Sequence, residues 1–171
     1  MKETVSMEKK WTIRRYNSYE DYIAGNLPKT IKDAEGRTLP GESIVEGNVL
    51  LNEGITALLN LLTGGTEDAY SNGNAYLGVG ESSTAAAASQ TGLQGASLTY
   101  KAMESGYPSI SGQAVTWRSV FGSDDANNAW QEFTVVNASS DSGDNLNRKV
   151  DDQGTKASGQ TWTLDLEITF S

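Results

Sequence analysis

The segment TWTLDLEITF (161–170) alternates without a break. Trp162, Leu164, Leu166, Ile168 and Phe170 fall on one side, and Thr161, Thr163, Asp165, Glu167 and Thr169 on the other. Successive side chains of an extended chain point to opposite faces, so the segment is a strand with one apolar and one wet face, the pattern of an antiparallel sheet laid on a core. Such a strand needs neighbours. AYLGVG (75–80), SLTYKAM (97–103), QAVTWRSVF (113–121) and WQEFTVVN (130–137) supply them, and the second half is divided by the polar turns GSDDANN, NASSDSGDN and DDQGTKASG. Short strands separated by Gly/Asp/Asn/Ser turns predict a mainly β protein, an antiparallel β-sandwich or small barrel. In QAVTWRSVF the alternation assigns Trp117 to the core, as it does Trp162 in the closing strand.

One stretch departs from this pattern. In NVLLNEGITALLNLLTGG (48–65), Leu51, Ile55, Leu58 and Leu62 recur at helical spacing and Leu59 widens the stripe. An amphipathic helix over about 49–63 is expected, with Asn48 as N-cap, Gly64–Gly65 as C-cap and the leucine stripe facing the core. Gly54 inside it implies close approach of another backbone, since glycine costs about 1 kcal/mol against alanine there.

Residues 1–45 read differently. WTIRRY (11–16) has strand composition, Tyr16, Tyr19 and Tyr22 are spaced three apart, and DAEGRT and LPGES are turn-like. Residues 1–40 carry eight Lys/Arg and six Asp/Glu, a net +2, whereas residues 41–171 carry −11 within a total of −9. The expectation is an extended, basic and aromatic N-terminal arm over 1–45, joined to a sandwich domain over 46–171. The acidic body should repel nucleic acid. MKETVSMEKKW has no apolar run of a secretion signal, and no stretch approaches the ~20 apolar residues of a membrane helix.

The chain has no cysteine and no histidine, which removes thiolate chemistry and the commonest general base and metal ligand. Gly78–Val79–Gly80 follows a strand, as a phosphate loop would, but the third glycine position is Ser83. No lysine lies between Arg37 and Lys101, and no helix follows. The acidic turns around Asp124–Asp125, Asp141, Asp144–Asn145 and Asp151–Asp152 lack the spacing of a calcium loop. Glu132, Asp165 and Glu167 lie on strands as a glycosidase pair would, with no further marker. Trp11, Trp130 and Tyr107 are candidates for stacking on sugar. No catalytic, cofactor or metal residue is assigned.

From Asn48 onward the order of features resembles a group of bacteriophage virion proteins that occur as tail-fibre modules and capsid-associated proteins. It runs through the leucine helix, YLGVGESS, TGLQGASLTYKAM, AVTWRSVF, WQEFTVVN, LNRKV, the lysine of GTKASG and the closing alternating strand. Glu132 is followed here by Phe133–Thr134–Val135–Val136, where the group has Gly-Leu and a turn. The resemblance implies a jelly-roll-like sandwich with an assembly role and no catalysis. The expectation is a capsid decoration or cement protein on the virion surface, made in the host cytoplasm. It would be a dimer or trimer, with Trp11, Arg14, Arg15 and Tyr16 anchoring the arm on the major capsid protein or other virion proteins. No nucleic acid, membrane or cofactor is expected. The alternative is a tail-fibre module recognising host glycan, and a more distant one a glycan-degrading enzyme.

Overall fold

The computed structural model describes residues 5–171; residues 1–4, the start of the expected arm and of the stretch read for a secretion signal, lie outside them. In chain order the elements are β1 (Met7–Tyr16), α1 (Tyr19–Ala24), β2 (Thr30–Lys32), β3 (Thr38–Pro40), β4 (Glu42–Glu46), β5 (Val49–Leu50), α2 (Asn52–Leu62), β6 (Tyr76–Gly80), β7 (Thr99–Ala102), β8 (Ser109–Ser111), β9 (Ala114–Phe121), β10 (Glu132–Val136), β11 (Asn147–Val150) and β12 (Thr161–Phe170). The protein is mainly β, with antiparallel sheets and two helices. One five-stranded sheet has the order β4-β1-β12-β9-β8, a second has β5-β11-β10-β6-β7, and β2-β3 forms a separate hairpin. No helix among the described residues is long and apolar enough to cross a membrane.

Each strand expected from alternation is present. The pairing is nested: β1 lies against β12, β5 against β11 and β6 against β10. Trp11, Ile13, Trp117, Phe121, Trp162, Leu164 and Leu166 from the first sheet share one core with Leu77, Val79, Phe133 and Val135 from the second. Trp130 joins them, its ring edge-on to both Phe121 and Trp162. The alternating face of β12 is therefore the core face, and Trp117 and Trp162 are core residues, as expected. The opposite face is drier than its polar composition implies: Thr161, Thr163 and Asp165 are buried as well.

The arm is corrected by β1. Met7–Tyr16 pairs along its whole length with β12, Trp11 opposite Leu166, and on its other edge with β4, Trp11 opposite Val45. It is an interior strand, and Trp11 and Ile13 are fully buried. A strand with neighbours on both edges cannot reach outward without leaving two ladders of backbone donors and acceptors unpaired. Residues 17–45 are likewise structured, as α1 capped by Ser18 and Gly25, the β2-β3 hairpin and the edge strand β4.

The helix is present, but its packing differs from the leucine-stripe expectation. Leu51, not Asn48, is the N-cap, and Thr63 the C-cap. The buried helical residues are Gly54 and Ala57, while Ile55, Leu59 and Leu62 are exposed, Leu62 by 82%. Gly54 explains the turn of the helix. A Cβ on it would lie 2.3 Å from Leu146 Cα and 2.6 Å from the carbonyl oxygens of Asn145 and Leu146. The close backbone approach expected of Gly54 is therefore real, and it selects the small-residue face for the core. That rotation leaves Leu58 and Leu61 half-buried and turns Leu59 and Leu62 to solvent.

Candidate functional site

The densest polar chemistry lies on the face of the second sheet turned away from the core. Strand β10 sends Phe133 and Val135 inward and Glu132 and Thr134 outward, and β6 places Gly80 opposite Glu132 and Gly78 opposite Thr134. Residues 81–96 fold back over this face. The glycines that resembled a phosphate loop are there for space. A Cβ on Gly80 would meet Glu132 Oε1 at 2.4 Å, and one on Gly78 would meet the Tyr100 ring at 2.6 Å.

Glu132 is fully buried and fully engaged. Oε1 accepts from Gly95 N at 2.7 Å and Ser82 N at 3.3 Å; Oε2 accepts from Gln94 N at 2.9 Å and Arg148 Nε at 2.8 Å. Arg148, also fully buried, has Nη2 2.7 Å from Oε2, while Nη1 donates to Thr84 O at 2.9 Å and Gln90 Oε1 at 3.0 Å. A buried ion pair is tolerated only when its remaining lone pairs and protons are largely satisfied; here loop backbone and the Gln90 side chain satisfy most of them, and Arg148 Nη2 has only its contact with Glu132. The pair thus fixes both ends of segment 82–95 to the sheet.

A bulge brings Arg148 there. Phe133 pairs with Lys149 and Val136 with Asn145, so three steps along β10 face four on its partner. The extra residue lets Asn145, Asn147 and Arg148 reach the outer face while Leu146 enters the core. Thr134 Oγ1 bonds Asn145 Oδ1 and Asn147 O, and Asn147 Oδ1 accepts from Val135 N. The Tyr100 hydroxyl bonds Asp141, and burial raises the tyrosine pKa far above its usual value.

Two further cations are buried. Arg15 donates to Pro40 O, Ser43 Oγ, Gln153 O and Gln153 Oε1, with its guanidinium 4.9 Å from the Trp162 ring centroid. Desolvation lowers its pKa to about 10, so it remains charged. Lys156 donates to Gly122 O at 2.6 Å and Asn127 Oδ1 at 2.7 Å, and desolvation lowers its pKa to about 8. An ammonium held less tightly in the folded than in the unfolded chain destabilises the fold while it is charged. Between pH 8 and 10 the unfolded chain binds more protons, so stability rises with pH. Denaturant unfolding should show a gain on the order of 2 kcal/mol across this window. Lys156→Met should remove that slope.

The other expected site residues separate. Trp11, Arg15 and Tyr16 are buried within their own fold, and Arg14 bridges Glu42 and Asp165 at 2.7 and 3.0 Å. Of the four, Arg14 alone is partly exposed. Trp11 and Trp130 are fully buried and cannot stack on sugar; Tyr107 is half-buried with Arg118 4.7 Å over its ring. Glu132 belongs to the second sheet, whereas Asp165, held by Arg14 and Arg118, and Glu167, paired with Lys10, belong to the first. Asp125 binds Lys101 and caps Gly122 N, Asp141 takes Tyr100, and Asp152 takes Arg37. Among the described residues no group of three or more acids is arranged to hold a metal. Arg148 and Lys156 entered the sequence reading only as parts of LNRKV and GTKASG in the order of features, with no buried role expected of either. The available signal was a glutamate leading the otherwise uncharged strand EFTVV and a basic pair in the later strand NRKV.

No protein-family model matches the chain, and neither a curated protein nor a solved structure matches it.

Proposed function

We propose that the protein is a bacteriophage virion structural protein, a capsid decoration or cement protein built as a jelly-roll-like β-sandwich. It acts by binding the major capsid protein or another virion protein. One observation carries the reading: charged side chains are buried beneath loops and spent on holding the fold, while large aliphatic side chains are turned to solvent. Glu132, Arg148, Arg15 and Lys156 are all engaged in tying loops to sheets. Ile55, Leu59 and Leu62 stand in solvent on α2. Clustered exposed aliphatics on a rigid body mark a protein-binding surface. The nested strand pairing and the core shared by two sheets support the sandwich. The order of sequence features supports the virion assignment. On this reading the contact surface lies on α2 rather than on an N-terminal arm, and the acidic remainder of the surface keeps the particle soluble. The glycan alternative loses Trp11 and Trp130 as stacking residues.

Phage heads assembled without this chain, mixed with the purified protein and pelleted, should carry it down. Leu59→Glu and Leu62→Glu should weaken that co-sedimentation at least tenfold without unfolding the protein. Heads that pellet without the protein would overturn the reading.

A further inference from the structure

The chain holds one Asn-Gly pair, Asn72–Gly73; each of its other asparagines is followed by a residue that carries a side chain. The pair lies in the turn Ser71–Asn74, closed by Ala75 N donating to Ser71 O at 2.8 Å, and both residues are exposed. Glycine, with no Cβ, presents the least hindered main-chain nitrogen. Nothing lies within 4 Å of the place a Cβ would take on Gly73. Its N–H donates to no main-chain acceptor among the described residues.

The Asn72 side chain ties two turns together. Its Nδ2 donates to Tyr107 O at 2.7 Å and to Glu104 O at 3.1 Å. The turn 104–107 in turn meets two other elements. The Glu104 carboxylate accepts from the Tyr22 hydroxyl of α1, and Glu104 N donates to Arg118 O of β9 at 2.8 Å. The Tyr107 ring centroid lies 4.7 Å from the Arg118 guanidinium.

We infer that Asn72–Gly73 is a site of spontaneous deamidation whose product releases the turn 104–107. Hydroxide takes the proton from Gly73 N, and that nitrogen attacks Asn72 Cγ. The new C–N bond closes a succinimide ring; Nδ2 leaves as ammonia, taking a proton from water and returning the hydroxide. Water then opens the ring at either carbonyl and leaves aspartate or isoaspartate, each with one added negative charge. The two hydrogen bonds hold the Asn72 amide on residues 104 and 107, so attack proceeds from the locally opened turn. The folded chain therefore reacts more slowly than the unfolded one. After reaction, position 72 has no proton to donate. Its carboxylate faces two carbonyl oxygens that have lost their donor, and the tie between the turns is broken. The site does not depend on the virion assignment.

Peptide mapping by mass spectrometry tests it, on protein held in mildly alkaline buffer either native or unfolded in urea. Residue 72 should convert from amide to acid before any other asparagine in both, and more slowly in the native protein. Gly73→Ala adds a methyl that meets no neighbour; it should slow the native reaction at least tenfold with unchanged far-ultraviolet circular dichroism. Asn72→Asp reproduces one product, and in it the amides of Glu104 and Tyr107 should exchange with deuterium at least tenfold faster than in the wild type. The site is overturned if another asparagine reacts first, if native Asn72 stays intact while the unfolded chain converts, or if Gly73→Ala reacts undiminished. Unchanged exchange at residues 104 and 107 in Asn72→Asp overturns the release of the turn.

Discussion

Glu132→Ala is expected to cost about 3–5 kcal/mol, the range for breaking a buried ion pair from one side. The substitution leaves the Arg148 guanidinium in a fully buried position with only Thr84 O and Gln90 Oε1 as acceptors. It also leaves Gln94 N and Gly95 N facing a void beside Gly80. For a protein whose whole stability is of order 5–15 kcal/mol, that removes a large fraction of the margin. Glu132→Gln keeps the volume and one acceptor and should cost less. Chemical denaturation of the two variants checks the order, and limited proteolysis should place the first new cleavage within 82–95, the segment the pair holds down.

Trp11→Ala is expected to cost about 3–5 kcal/mol, as for removal of a fully buried aromatic. Trp11 sits in the shared core with its ring 5.8 Å from that of Phe133 in the other sheet. Arg14→Ala, three residues away on the outward face and partly exposed, should cost less than about 1 kcal/mol. An arm docking on a partner would give the opposite pattern, with both substitutions sparing the fold and weakening partner binding alone. Thermal or denaturant melts of the isolated variants separate the two.

The periodicity of the chain made most of the second half legible. Strict alternation located β12, and hydrophobic runs between polar turns located β6, β7, β9 and β10, because burial against a core imposes a two-residue period directly on side-chain type. Gly54 was legible for the same reason: a glycine inside a helix needs a cause, and the Leu146 backbone is that cause. The position of β1 was not. Lys9, Lys10, Arg14 and Arg15 read as a solvated basic stretch. Arg15 is an inward residue whose charge is answered by backbone carbonyls of residues 40 and 153, and such partners leave no sequence pattern. The facing of α2 was also hidden. A leucine stripe signals burial only when something covers it, and Gly54 and Ala57 hold the core side instead. The Glu132–Arg148 pair escaped because most of its partners are main-chain groups of an irregular loop and its geometry depends on one extra residue between Asn145 and Lys149.

The departure of β1 from an arm decides where a partner can bind, and hydrogen–deuterium exchange on the free protein tests it most directly. If β1 is interior to the sheet, the amides of Met7–Tyr16 should be protected to the same degree as those of Thr161–Phe170, their ladder partners. Exchange of residues 7–16 at the rate of an unstructured chain, with residues 161–170 still protected, would contradict the account and return the binding surface to an N-terminal arm.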